Sequence, residues 1–167
     1  MPAGLKQTSS VISIGFGVDE TVANTFAEAQ IDLNLSPLDR EVFVVLAINL
    51  DPFTPEATGA DTKVESSLTT TSQADVANLS NSNCLAASGN FIKSDGTVAV
   101  SFQSLGQETP PSNLEYIGII ATNDFFVQVK GTGNLNIKGM DGKIYGYRAR
   151  ASADIYAALV QSEVLSA

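Results

Sequence analysis

Carboxylates are the residues of this sequence best placed to do chemistry. Asp51, Glu56 and Asp61 share one polar stretch, 51–63, with Thr hydroxyls and backbone carbonyls. Ca²⁺ is a hard cation that wants several oxygens around it, and such a stretch could supply them. The spacing matches no EF-hand loop, so an acidic, solvated loop is the preferred reading. Glu28 and Asp32 lie on one alternating stretch and would project from the same face of a strand. A carboxylate pair on a β-sandwich can hydrolyse glycosides. Ordinary solvated strand faces look the same.

Other chemistries lack their residues. The chain has no His, which removes the Ser-His-Asp and Cys-His forms of nucleophilic catalysis. Gly131-Thr132-Gly133 lies between two predicted strands and not before a helix, so it reads as a turn and not a dinucleotide fingerprint. Asp95-Gly96-Thr97 reverses the Asp-Thr-Gly of aspartic proteases and reads as a hairpin turn. Cys84 is the single cysteine, so no intrachain disulfide forms, and a structural zinc site is not expected. No cation lies near it in sequence, and it reads as an inert packed thiol. No catalytic residue, resident metal or cofactor is expected, with Asp51, Glu56 and Asp61 kept as the one Ca²⁺ candidate.

Charge narrows the partners. The net charge is −9. Residues 1–129 hold four basic side chains against fifteen acidic ones, while residues 130–167 hold five against three. Most of the chain would repel a phosphate backbone. In the basic region, alternation puts Arg148 and Arg150 on the face opposite Tyr145 and Tyr147, which separates cations from aromatics and weakens a base-stacking platform. The preferred reading is that these cations offset acidic strands beside them. Charged residues are only 16% of the chain, against roughly 25% in ordinary soluble domains. A surface with little charge costs less to desolvate, which favours contacts between subunits. The N-terminus, Met-Pro-Ala-Gly-Leu-Lys-Gln-Thr-Ser-Ser, has no apolar stretch of a signal peptide, and no apolar run approaches the roughly 18 residues of a membrane span. Folding in a cytoplasm without membrane insertion is expected, and the sequons at Asn34 and Asn78 are read as chance.

The elements that must position these residues are strands. Ile12, Ile14, Phe16 and Val18 alternate with small residues, and Ala27, Ala29, Ile31, Leu33 and Leu35 alternate with polar ones. Val42 to Leu50 is nearly all apolar and predicts a central strand covered on both faces. Val64 to Gln73 predicts a further strand, and 74–90 a helical turn and loop. Phe91 to Lys93 and Val98 to Phe102 flank the Asp95-Gly96 hairpin signal. Residues 104–114, with Pro110-Pro111, predict a loop. Tyr116 to Ala121, Phe125 to Lys130, Leu135 to Lys138 and Lys143 to Ala151 predict a meander, one of whose turns is Gly139-Met140-Asp141-Gly142. Ser152 or Asp154 would cap a short helix with Ile155, Leu159 and Val160 on one face. The length suits one domain over 1–167, with 1–9 as a flexible or subunit-contacting arm. The expected fold is an all-β, two-sheet antiparallel sandwich of jelly-roll type with at most one or two short helices.

This pattern of many short strands, Thr/Ser/Asn-rich loops and no His-based site resembles small jelly-roll virion proteins. The closing stretch Gly142-Lys143-Ile144-Tyr145-Gly146-Tyr147-Arg148-Ala149-Arg150-Ala151 looks like the last long strand of such a shell subunit. The resemblance is one of style over most of the chain and includes no diagnostic motif. It departs from many capsids of single-stranded viruses, whose N-terminal arm is basic, since residues 1–10 hold one Lys and no Arg. It implies a structural, self-assembling capsid or decoration subunit, located in the virion, whose partners are itself and other virion proteins. Candidate contacts are the loops 51–63, 74–90 and 104–114. The rival readings are a carbohydrate-binding or adhesin-like sandwich, against which the absence of Trp counts, and a small β-sandwich glycoside hydrolase.

Overall fold

A computed structural model describes residues 2–105 and 114–166. Ten strands and one helix follow in order: β1 Leu5–Gln7, β2 Ile12–Asp19, β3 Ala27–Asp32, β4 Glu41–Pro52, β5 Thr62–Thr69, β6 Cys84–Ser94, β7 Ala99–Ser104, β8 Gly118–Ile120, β9 Asp124–Thr132, β10 Gly139–Ala151 and α1 Ala153–Leu165. The first sheet runs β10-β4-β8, with β1 and β2 pairing along different lengths of the free side of β10. The second runs β3-β9-β5-β6-β7. Every pairing is antiparallel. The chain changes sheet from β2 to β3, from β3 to β4 and from β4 to β5, and again from β7 to β8, from β8 to β9 and from β9 to β10. Strands distant in sequence thereby become neighbours, which is the jelly-roll arrangement of two packed sheets.

The core lies between the sheets. Phe43, Val45, Ile48 and Leu50 of β4 meet Val64 and Leu68 of β5 and Phe125, Val127 and Val129 of β9 there. Phe16 of β2 meets Phe125 edge-on, with ring centroids 5.6 Å apart. The apolar run of β4 is indeed covered on both faces. Val42, Val44 and Leu46 point the other way and pack with Tyr147, Ala149 and Ala151 of β10 under Ile155, Tyr156, Leu159 and Val160 of α1. The register of β4 against β10 shifts between Tyr145 and Gly146, leaving Leu46 as an extra residue. That bulge moves the inward-facing positions from odd numbers (43, 45) to even ones (48, 50). Ser152 caps α1, its hydroxyl accepting from the Ile155 N–H.

Several sequence expectations change. The proposed turn Gly139-Met140-Asp141-Gly142 is the start of β10, paired with β2 on one side and β4 on the other. Glycine serves close packing at Gly142, where a Cβ would lie 2.6 Å from both the Asn49 carbonyl and the Phe16 ring. Leu135 to Lys138 is not a strand. Its backbone donors are taken by carboxylates, Leu135 and Asn136 by Glu56 and Lys138 by Glu20. The alternation after Asp32 does not continue as a ladder either, since Leu33 and Leu35 donate to the Asn123 carbonyl and side chain. The strand expected over Val64 to Gln73 is shifted to Thr62–Thr69. Of 74–90, the last part is β6, which pairs β5 from Cys84 onward. Residues 1–9 include β1, whose Leu5, Lys6 and Gln7 pair with Ala151, Arg150 and Ala149. Residues 106–113, including Pro110-Pro111, lie outside the described residues.

Candidate functional site

The most distinctive surface is built by β6 and β7. All six residues of β7, Ala99 to Ser104, are exposed, and among the described residues β7 is the last strand of its sheet. The Asp95 carboxylate accepts from the backbone N–H groups of Thr97 and Val98, and Gly96 takes φ +92°. These contacts fix the hairpin that the Asp-Gly signal predicts, and they hold the Asp95 carboxyl below its ordinary range, the Val98 bond first. The register pairs Phe91 with Phe102 and Lys93 with Val100. Directly paired residues share a face, so Phe91, Phe102, Lys93 and Val100 form one outward row pair. The two rings stack at 5.0 Å and 12°. Phe102 is 52% exposed, Val100 59% and Val98 62%. Edge strands usually carry charge, Pro or a bulge against unwanted pairing, and β7 carries none of these.

Beside the stacked rings lies a groove of about 290 Å³ lined by Asp61, Lys63, Phe91, Lys93, Phe102 and Thr132, among others. Lys93 reaches Asp61 at 3.3 Å and Lys63 reaches Glu65 at 2.7 Å. The groove thus has an aromatic floor and a rim whose charges are already paired.

The acidic candidates do not converge. Asp61 accepts from the Ser94 N–H and from Lys93, which lower its pKa in that order of importance. Glu56 binds the backbone N–H groups of Leu135 and Asn136, the Asn136 amide and Lys138, and the Asn136 amide contributes most to lowering its pKa. Asp51 is exposed in β4, opposite Asp141. Among the described residues no three His, Cys, Asp or Glu side chains come together as a metal site. Glu56 and Asp61 act instead as braces that tie one loop to the next.

Glu28 and Asp32 share a face of β3, but Glu28 is fully engaged. It accepts from Ser72 Oγ, the Gln73 N–H and Gln128 Nε2. Gln128 is buried and also meets Ser67 at 2.6 Å and Thr69 at 2.7 Å. The Ala77 N–H donates to Ser67, so the segment between β5 and β6 is laid over the outer face of the second sheet. Polar alternation in β3 and β9 left this network invisible in sequence, because its partners come from four separate stretches.

The basic C-terminal region pairs with acids. Lys130 meets Asp75, Lys138 meets Glu56, Arg148 meets Glu41, and Arg150 meets Asp39. Arg148 also donates to the carbonyls of Leu33 and Asn34. Cys84 is half-buried, its thiol 3.3 Å from the Ala86 carbonyl, and burial pushes its pKa up. That environment disfavours the reactive thiolate. No helix among the described residues is long and apolar enough to cross a membrane.

Fold and surface together define a jelly-roll sandwich with an exposed, uncharged sheet edge. No family model matches the sequence, and no curated protein matches it either. Among solved structures, one of Desmodium yellow mottle tymovirus aligns over 92% of this chain and 89% of its own, with 12% identity and a TM-score of 0.31. The tailspike protein gp49 of Acinetobacter baumannii bacteriophage Fri1, a capsular polysaccharide depolymerase, aligns over 75% of this chain and 21% of its own, with 13% identity and a TM-score of 0.16. At these scores neither bears on what this chain does.

Proposed function

We propose that this chain is a structural, self-assembling virion protein, a capsid or decoration subunit in which residues 1–167 act as one domain. The observation that carries the reading is β7, an uncharged strand exposed along its whole length at the edge of a braced two-sheet sandwich. A monomer gains nothing from leaving such an edge open, whereas an assembling subunit uses it as a contact. Two further features support the reading. Glu28, Glu56 and Asp61, three of the carboxylates that could do chemistry, are spent on internal bracing, and the sheets are stiffened by α1 on one outer face and the segment between β5 and β6 on the other. Jelly rolls serve viral shells, lectins and cupins alike, and the sequence holds no His with which to build a His-ligated metal site. Partners are further copies of the chain and other virion proteins. Electron microscopy of the purified chain tests the reading, with closed particles or regular rings expected. A chain that stays monomeric by light scattering at high concentration would sink it.

A second reading, a carbohydrate-binding module, draws on the groove floored by Phe91 and Phe102, since sugars stack on exposed rings. Strong, selective hits on a glycan array, lost in Phe102→Ala, would reverse the ranking. The glycoside hydrolase reading draws no support from Glu28, whose carboxylate is held by three donors.

A further inference from the structure

We infer that β7 pairs with β7 of a second copy, antiparallel about a two-fold axis through Ser101, joining two five-stranded sheets into one of ten strands. The inference deepens the assembly reading and rests on it for the identity of the partner. Three observations select a second copy as the occupant. The first is charge. Each copy carries a net −9, so like surfaces repel wherever acids dominate, but Ala99 to Ser104 contains no charged residue. The second is the edge itself. The backbone groups on its side away from β6 lie along six exposed residues, with no Pro, inward-pointing Lys or bulge to block a partner.

The third is register. Directly opposed residues of an antiparallel pair share a face, so outward-facing even positions of one copy must meet even positions of the other. A two-fold through Ser101 satisfies this and places Val100 opposite Phe102 of the second copy, twice. A two-fold through Phe102 would instead set each Val100 against Ser104. Counting only the residues of the strand itself, the Ser101 register sets apolar against apolar twice on this face, and axes through Val100 or Phe102 do so once. Combined with the pairs Phe91 with Phe102 and Lys93 with Val100, it produces two continuous rows across the joint, each reading Phe91, Phe102, Val100, Lys93. The stacked rings of one copy then continue into Val100 of the next. At the far end of each row, Lys93 keeps its own partner, Asp61, at 3.3 Å, so no charge is buried without compensation.

The test uses the full chain and two kinds of variant. Val100→Glu sets a carboxylate opposite Lys93 within its own copy, which the fold tolerates, but beside the Phe102 ring of the second copy. Unchanged circular dichroism with a dimer dissociation constant raised at least tenfold by sedimentation equilibrium is the expected result. Ser101→Cys places two thiols face to face on the axis and should cross-link copies under mild oxidation. Gln103→Cys, which faces Ala99 across the axis, should not, and the wild-type chain, whose only thiol is Cys84, is the control. Cross-linking at 101 without larger particles would uphold the contact and refute the shell reading. Particles that form from Val100→Glu as readily as from the wild type, with no cross-link at 101, would refute the contact and leave the shell reading standing. A chain that binds glycans through Phe102 and shows no self-association would overturn the contact outright.

Discussion

Glu163 is buried on α1, yet its carboxylate reaches back to the first sheet, accepting the Ala121 N–H at 2.7 Å and the Thr122 N–H at 3.1 Å. Hydrogen bonds to a charged group are worth about 1.5–3 kcal/mol each, and orphaned donors cost more when buried. Glu163→Ala should therefore lower stability in urea by about 2–4 kcal/mol, and Glu163→Gln by less, because one amide oxygen can still accept. Glu56, Asp61 and Asp95 carry pKa values lowered from ordinary values of 4.5 for Glu and 3.8 for Asp, each mainly by donors that favour the ionised form. A carboxylate whose folded pKa is lowered adds stability above its unfolded value and loses it as pH falls through the folded value. The unfolding midpoint should thus be flat near neutral pH and drop below pH 4.5. Glu56→Gln should weaken that acid slope while lowering the neutral-pH midpoint. All three carboxyls were visible in sequence as acidic loop residues. The donors of Asp95 belong to its own turn, but those of Glu56 and Asp61 were hidden, because the N–H groups that hold Glu56 lie 79 and 80 positions away and the Ser94 N–H that holds Asp61 lies 33 away.

At the scale of elements, β10 is the hub, paired with β1, β2 and β4. Gly146 sits where β10 and β4 shift register, and a Cβ there would fall 2.2 Å from the Val44 carbonyl and 2.7 Å from the Phe43 ring. Overpacking of this kind costs typically about 1–3 kcal/mol. Gly146→Ala should lower the thermal midpoint accordingly, and calorimetry can check it. β4 shows both how far a pattern reads and where it stops. Nine nearly unbroken apolar residues announced burial on both faces, and both faces are buried. The same run hid the bulge at Leu46, because apolar residues on either side leave no alternation whose phase can slip visibly. β10 misled in the opposite way. Gly139, Asp141 and Gly142 have the composition of a turn, and only pairing on both sides shows that Gly142 is there to let Phe16 and Asn49 approach and Gly139 to let Val18 and Asp19 approach.

For the whole molecule, α1 decides whether the first sheet has a dry outer face. Val42, Val44, Tyr147 and Ala149 lie beneath it. Ending the chain after Ser152 would expose this cluster together with the unsatisfied N–H groups of Ala121 and Thr122. Such a chain should bind a hydrophobic dye and precipitate, while the full chain stays in solution. The same scale governs the surface of β7. Its residues are unremarkable singly, and they become a contact only because the second sheet ends with them.

Periodicity and composition established the class of fold, the central place of Val42 to Leu50, the hairpin at Asp95-Gly96, the capped C-terminal helix and the lack of imidazole chemistry. Those properties depend on near neighbours along the chain or on which atoms are present at all, and a linear reading suffices for both. Tertiary structure alone decided which strands are neighbours, which strand is left at an edge, and where each carboxylate finds its donors. Those outcomes depend on contacts between residues tens of positions apart, selected by the mutual packing of two sheets, and no local pattern encodes that choice.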